Sequence, residues 1–381
     1  MKILLSADWF YPAQMGGPSN AIYWQARALA QAGHAVTVVA TSQDLPLSVP
    51  LNRWLTLDCG RVVYTRNPHF YLPLVHGWYA GRAMCGVDVV HVNSLFYPSS
   101  FVLVLLAGLL RKRVIWSPHG ELSPQALGYS PGRKKWMLSL FRRLSRHVVF
   151  HATCSAEAGH IRQHFGPNTA VSELRIRMEL PARVERTAQP YLLFIGRLHP
   201  IKAIDRLLDA LAASTLFRTS HYTLTIAGPD EQDYRQTLTQ QVRALGLTDK
   251  VNFAGPVYDG PKEHLYADAL VTILPSHSEN FGLVVIESLA QGTPVIASTG
   301  TPWSQLETER AGRWVANNPE ALRQAIDSFL SMPADMYQLY RTRSAELARR
   351  DFDIRTNVGK WELLYETLLP AAILPTTSQP I

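Results

Sequence analysis

The stretch HSENFGLVVIE at 277–287 carries two glutamates, Glu279 and Glu287, with seven residues between them. The run ALVTILPS before it has the character of a strand, and FGLVVIESLAQG that of a helix running to Gly292, so His277 to Gly282 form the turn between them. Backbone N–H groups of Phe281, Gly282 and Leu283, with Asn280 beside them, then face outward from a helix start, which is an anion site. Each carboxylate accepts hydrogen bonds from a different hydroxyl of an extended ligand, and a carboxylate facing a vicinal diol matches two acceptors to two donors. Phosphate at the helix end with sugar on either side is the ligand shape this suggests. Such a pair also serves as a metal site, as the nucleophile and acid of a glycosidase, or as two incidental charges at a helix start.

Cations sit at a corresponding place earlier in the chain. In YLLFIGRLHPIKAIDRLLDAL, Arg197 follows a strand and Lys202 precedes a helix that Asp205 opens. Two cations there clamp a phosphate or diphosphate. Solvated surface charge is the plainer alternative, and the position at a strand end favours the clamp. In WFYPAQMGGPSN, directly after KILLSA, Gly16 and Gly17 allow close backbone approach and Ser19 is placed to cap a helix beginning near Asn20. The spacing is not the G-x-G-x-x-G of a dinucleotide fold. After RVIWS, His119 and Gly120 occupy the equivalent edge, where a histidine serves as often for structure as for catalysis.

The elements that hold these residues alternate. KILLSA, AVTVVA, RVVYT, DVVHV, RVIWS and HVVFHAT are strand-like runs, most of them separated by amphipathic stretches such as NAIYWQARALAQAG. The polar, proline-bounded PARVERTAQP at 181–190 interrupts the pattern, which resumes with YLLFIG, YTLTIAG, KVNFAG, ALVTILP and TPVIAS. This is βαβ order, hence an α/β fold of two doubly wound parallel-sheet domains with a ligand cleft between them. The boundaries fall at 1–183, 190–350 and a helical segment 351–369, with 370–381 as a tail.

A chain of 381 residues with 47% apolar and 18% charged residues has the means to bury two cores. Its net charge of +7 suits an anionic ligand or surface without selecting one. Three scattered cysteines, Cys59, Cys85 and Cys154, support neither a disulfide framework nor a zinc site and fit a reducing compartment. The longest apolar run, FVLVLLAGLL, falls short of a membrane span, and the N-terminus lacks the run of a signal peptide.

Together, GGPSN, SPHGELSPQAL, FIGRLHPIKAIDRLLDAL, VNFAGP, SENFGLVVIESLAQGTPVIAS and GTPW resemble glycosyltransferase family 4, the retaining transferases of the GT-B fold. The likeness spans nearly the whole chain and implies two Rossmann-like domains, the first for the acceptor and the second for a nucleotide sugar, with the last helix crossing back to the first. It implies that Arg197 and Lys202 bind the donor diphosphate, that Glu279 holds hydroxyls of the donor sugar, and that Glu287 holds the ribose. Gly17 then approaches the donor phosphate and His119 lies beside the transferred sugar. No metal or other cofactor is expected, since cations and a helix end neutralise the leaving group. The pattern resembles bacterial members that build lipopolysaccharide, O-antigen or exopolysaccharide, implying a lipid-linked or glycan acceptor, no nucleic acid, and a cytoplasmic site at the inner membrane face. The chain departs from the family at Ala203, where glycine is usual and a helix would tolerate alanine, and at RIRMELP, which replaces a Pro-Asn-Gly turn.

Two other classes would use the same scaffold: a nucleotide-sugar epimerase or hydrolase, and a non-catalytic partner subunit. A last feature is PGRKKWMLSLFRRLSRH, where Met137, Leu140, Phe141 and Leu144 form a helical apolar stripe. Lys134, Lys135, Arg142, Arg143 and Arg146 flank it with no acid among them, so residues 133–146 offer either a solvated face or a contact for anionic lipid.

Overall fold

The computed structural model describes residues 1–13, 17–128, 131–186, 191–231, 233–258 and 260–368. The chain forms two compact units, one of Met1–Met178 together with the stretch from Ile354 onward, the other of Glu179–Asp353.

The first unit is built on an eight-stranded sheet of β1 (Lys2–Ala7), β2 (Ala35–Thr41), β3 (Trp54–Leu57), β4 (Gly60–Thr65), β5 (Val89–Asn93), β6 (Arg113–Ser117), β7 (Val148–Ala152) and β8 (Val171–Glu173). Their spatial order is β3-β4-β2-β1-β5-β6-β7-β8. All neighbours run parallel except β3 and β4, an antiparallel pair at the edge. The central strands are buried on both faces, so their runs are apolar without alternation in sequence, yet alternate residues serve different cores. Ile3, Leu5, Val36, Val38 and Val62 pack under the helix Gly17–Gln31, along with Trp361 and Tyr365 near the chain's end. Leu4, Val39, Val63, Val92 and Trp116 pack on the opposite face.

The second unit has a six-stranded parallel sheet of β9 (Leu192–Ile195), β10 (Leu224–Ala227), β11 (Val251–Gly255), β12 (Val271–Leu274), β13 (Val295–Ser298) and β14 (Gly312–Val315), in the order β11-β10-β9-β12-β13-β14. In the helix Ile204–Ala213, Ile204, Leu207, Leu208 and Leu211 recur at i, i+3, i+4 and i+7 and are fully buried against β9 and β10. Each such leucine stabilises the unit by about 1.5–3 kcal/mol.

These are the two Rossmann-like doubly wound domains of the GT-B architecture. Strands β3, β8 and β14 were not visible in the pattern. All three lie at sheet edges, and β8 has only three residues, so none carries a fully buried run. Within 131–144 the deepest side chains are Leu138 and Phe141, and Met137, Leu140 and Leu144 are only partly covered, which turns the buried face toward Leu138.

Candidate functional site

In the second unit the sequence-derived residues gather at the carboxyl ends of β9 and β12. The turn after β9 and the turn after β12 are tied by a backbone bond from His277 N–H to Ile201 O at 2.8 Å. That contact brings Lys202 onto Glu279, and Lys202 Nζ donates to Glu279 Oε1. Ser276 Oγ donates to the same oxygen at 2.8 Å. The peptide of Glu279 is anchored separately, its N–H donating to Gly300 O at 3.0 Å. A Cβ at Gly300 would lie 2.3 Å from His277 O, so only glycine lets the two segments come this close.

Glu287 is held by a different set. Lys262 Nζ donates to its Oε1 at 2.6 Å and Tyr266 OH to its Oε2 at 2.7 Å. Burial and the adjacent carboxylate push the Tyr266 phenol well above its ordinary range, so it remains a donor. Sequence reading missed Lys262 and Tyr266, which lie on the helix Gly260–Asp268 with no motif to mark them.

The helix between the two carboxylates begins at Leu283, later than expected, and runs to Ala290, so Glu287 lies just past its first turn. Gly282 caps it at φ 84°, a left-handed conformation natural to glycine, and itself has no side chain to bond to the helix start. Phe281 is a core residue: its ring lies 5.2 Å from that of Trp303, whose indole N–H donates to Phe281 O. Of Phe281, then, only the backbone faces the candidate site. Asn280 is half-buried in the same turn.

Arg197 is exposed and donates to Glu231 Oε2 at 2.7 Å, so the two cations of the expected clamp are engaged by different carboxylates. Ala203 corrects the sequence reading. It precedes the helix Ile204–Ala213 in a left-handed conformation, φ 50° and ψ 40°, where a side chain costs roughly 1–2 kcal/mol relative to glycine. The helix tolerance of alanine therefore has no bearing on this position.

In the first unit, His119 and Gly120 follow β6 with φ 52° and 83°. His119 Nε2 lies 2.8 Å from Asn93 Oδ1, and Asn93 Nδ2 donates to Ser6 O at 2.9 Å. Asn93 therefore accepts, Nε2 carries the proton, and Nδ1 is left as a buried acceptor with no partner among the described residues. Burial, aided by His151, holds the His119 pKa far below 6.5, so the ring is neutral. Glu157 pins this loop, accepting from Gly120 N–H at 2.6 Å and from Thr153 N–H at 2.7 Å.

Three more polar groups surround the same sheet edge without having been singled out. Asp8 follows β1, is buried, and accepts from Ser99 Oγ at 2.6 Å; burial raises its pKa to about 8. Glu121 accepts from the Leu95 and Phe96 amides, and burial raises it to about 7. Asn93 ends β5. A rule that reads the residue after each strand would have found Asp8. Gly17 is the first residue of the helix Gly17–Gln31, which places Ser19 inside that helix and not at its cap. Gly16 lies outside the described residues.

Residues 15–173 match the family described as Glycosyltransferase Family 4, and residues 178–347 match Glycosyl transferases group 1. On these two matches the chain is a glycosyltransferase, its first part similar to family 4 and its second to group 1. Among its relatives is a glycogen synthase of Mycobacterium tuberculosis, 27% identical over 93% of this chain and 92% of the relative. Among solved structures, the sucrose-phosphate synthase of Thermosynechococcus elongatus superposes with a TM-score of 0.76 at 20% identity, covering 97% of this chain and 99% of the other. Anabaena HepE in complex with UDP and glucose gives 0.74 at 19% identity, covering 97% and 100%. This chain thus shares the GT-B fold of both.

Proposed function

We propose that this glycosyltransferase moves a sugar, with retention of configuration, from a nucleoside diphosphate donor to a lipid-linked or polysaccharide acceptor in bacterial lipopolysaccharide, O-antigen or exopolysaccharide synthesis. The observation that carries the reading is the Lys202–Glu279 unit, with Glu287 one turn into the helix that follows it. Glu279 Oε1 is taken by Lys202 and Ser276, and Oε2 is directed to hydroxyls of the donor sugar. Glu287 accepts one bond at each oxygen and has lone pairs left for both hydroxyls of a ribose.

As the sugar–phosphate bond breaks, negative charge grows on the diphosphate. Lys202, Arg197 and the amides at the helix start near Gly282 and Leu283 neutralise it, and such stabilisation counts most where charge develops. The acceptor oxygen forms its bond to the anomeric carbon on the face the phosphate leaves, and its proton passes to a phosphate oxygen. Neutral His119 accepts a sugar hydroxyl at Nδ1. This chemistry needs no divalent metal where Lys202, Arg197 and the helix-start amides carry the developing charge. The enzyme works in the cytoplasm at the inner membrane face, where the basic residues 133–146 meet anionic lipid.

Calorimetry with UDP, GDP and ADP tests the donor assignment. Glu287→Ala weakens binding of the preferred nucleotide and Glu279→Ala leaves it nearly unchanged while turnover falls. Equal nucleotide affinity in wild type and Glu287→Ala removes the ribose role. Release of free sugar at the same rate with and without a glycan acceptor would favour a hydrolase.

A further inference from the structure

Residues 59–156 contain twelve lysines and arginines and only two acids, Asp88 and Glu121, a surplus larger than the net charge of the entire chain. Within this span the helices Leu74–Met84, Pro98–Leu109 and Pro131–Leu144 lie on one face of the first sheet. Their inward residues Ala80, Met84, Leu103, Ala107, Leu138 and Phe141 share one core, and the rings of Phe101 and Phe141 are 6.1 Å apart across the last two helices.

What this layer turns outward is not only polar. Tyr71, Leu72, Leu74, Trp78, Leu109 and Trp136 are between 56% and 72% exposed. Scattered surface leucines are ordinary, but four large apolar side chains on one helical layer, with Tyr71 and Leu72 just before its first helix, are not. Cations are interleaved among them: the Arg82 guanidinium sits 5.0 Å over the Trp78 ring, and Arg133 Nη1 donates to Tyr71 OH at 3.1 Å. Tryptophan and tyrosine set among lysine and arginine suit the boundary between headgroups and acyl chains, where ring bodies are dry and charges stay wet.

We propose that this three-helix face is a membrane-docking surface, seated on anionic phospholipid with Leu74, Trp78, Leu109 and Trp136 inserted at the acyl boundary. It extends the contact assigned to residues 133–146 and rests on that reading for the kind of partner, not on catalysis. The charge surplus chooses the occupant. A second copy of the chain would bring the same positive surface against itself, and a polyanion without an apolar phase would leave the leucines in water. No described helix is long and apolar enough to cross a membrane, so the contact is one of lying on the surface.

The test is sedimentation of the full chain with phosphatidylcholine vesicles, with and without phosphatidylglycerol, for wild type and two variants. Leu74→Ser/Trp78→Ser/Leu109→Ser keeps every charge; Arg82→Glu/Arg142→Glu/Arg143→Glu keeps every apolar group. Circular dichroism and nucleoside diphosphate calorimetry, which reads the other unit, confirm that both fold. Wild type binds phosphatidylglycerol vesicles and is released by salt. The serine variant loses roughly tenfold or more in partitioning, as expected for apolar area returned to water, and the glutamate variant loses the preference for anionic lipid. Brominated acyl chains quench wild-type tryptophan fluorescence and lose that effect on the serine variant. The proposal is overturned if wild type ignores anionic vesicles, if the serine variant binds as wild type does, or if wild type forms a concentration-dependent dimer that the serine variant cannot. Loss of nucleotide binding with vesicle binding intact would instead count against the transfer reading alone.

Discussion

Lys202 Nζ donates to Glu279 Oε1, the oxygen that also accepts from Ser276 Oγ, and neither bond reaches Oε2. A cation suited to phosphate and a carboxylate suited to sugar hydroxyls are thus held as one unit by contacts within the protein. Both side chains are more than four-fifths buried, so the pair is little screened.

Removing one partner leaves the other charge without compensation. Lys202→Ala is expected to lower kcat/KM by roughly a hundredfold, the scale of losing one donor to a developing oxyanion, with a smaller loss in nucleoside diphosphate affinity. Steady-state kinetics alongside calorimetry separates the two effects. A change confined to KM would place Lys202 in ground-state binding alone.

Arg197 offers the opposite experiment, because its present partner Glu231 competes with a diphosphate for the same guanidinium. The pair is largely exposed and contributes little to stability. Glu231→Gln should leave the melting temperature unchanged and tighten nucleoside diphosphate binding by up to roughly fivefold, the worth of an exposed ion pair. Weaker binding in this variant would mean that Arg197 is not a phosphate ligand.

Gly300 tests positioning without touching ligand. An added methyl meets His277 O and forces the Ser276–Glu279 turn to shift, at a stability cost of about 1–3 kcal/mol. Because Glu279 N–H bonds to Gly300 O, turnover in Gly300→Ala falls at temperatures where the protein is fully folded. Wild-type turnover there would show that the placement of Glu279 is not set by this contact.

Stability should depend on pH in two directions. His76 and His151 have pKa values lowered to about 4 by burial, and His91 is held well below 6.5 by the same cause. Below pH 6.5 the unfolded chain binds four protons, on these three and on His119, that the folded chain refuses, so stability falls with acid down to about pH 4. Asp8 acts oppositely: the folded chain keeps a proton up to about pH 8 that the unfolded chain releases near 4, so this group's share declines as pH rises. Glu121, raised to about 7, acts as Asp8 does, and with about 1.4 kcal/mol per proton per pH unit these six groups place their joint optimum near pH 6.5. Urea midpoints measured from pH 4.5 to 8.5 check it, and a midpoint that rises steadily toward pH 4.5 contradicts the buried-neutral histidines.

Chelation gives the remaining prediction. Transfer measured in EDTA keeps its rate, because Arg197, Lys202 and the helix start supply the charge a metal would otherwise provide. Activity that disappears and returns with magnesium or manganese would replace this account with one in which the diphosphate arrives as a metal complex.

The sequence determined the elements and the edge at which chemistry lies. Strand runs such as KILLSA and YLLFIG are local patterns set by burial on both faces, and in a parallel sheet every βα turn falls at the same edge, so Arg197, Lys202, His119 and Glu279 could be placed there without coordinates. What the tertiary structure alone decided are the partners. Glu279 meets a lysine seventy-seven residues away, and Glu287 meets Lys262 and Tyr266. Ala203 takes a left-handed turn that its helix-forming character does not announce. The last helix, Gly359–Glu366, joins the first sheet through Tyr365, bonded by Gln25 at 2.8 Å and 2.9 Å from His91 Nδ1, and through Glu362, 2.7 Å from His34 Nε2. Periodicity is a property of neighbours in the chain and fixes which face of an element is dry. Which distant side chain a polar group finds is set by the packing of whole elements, and that information enters only when the sheets and helices close on one another.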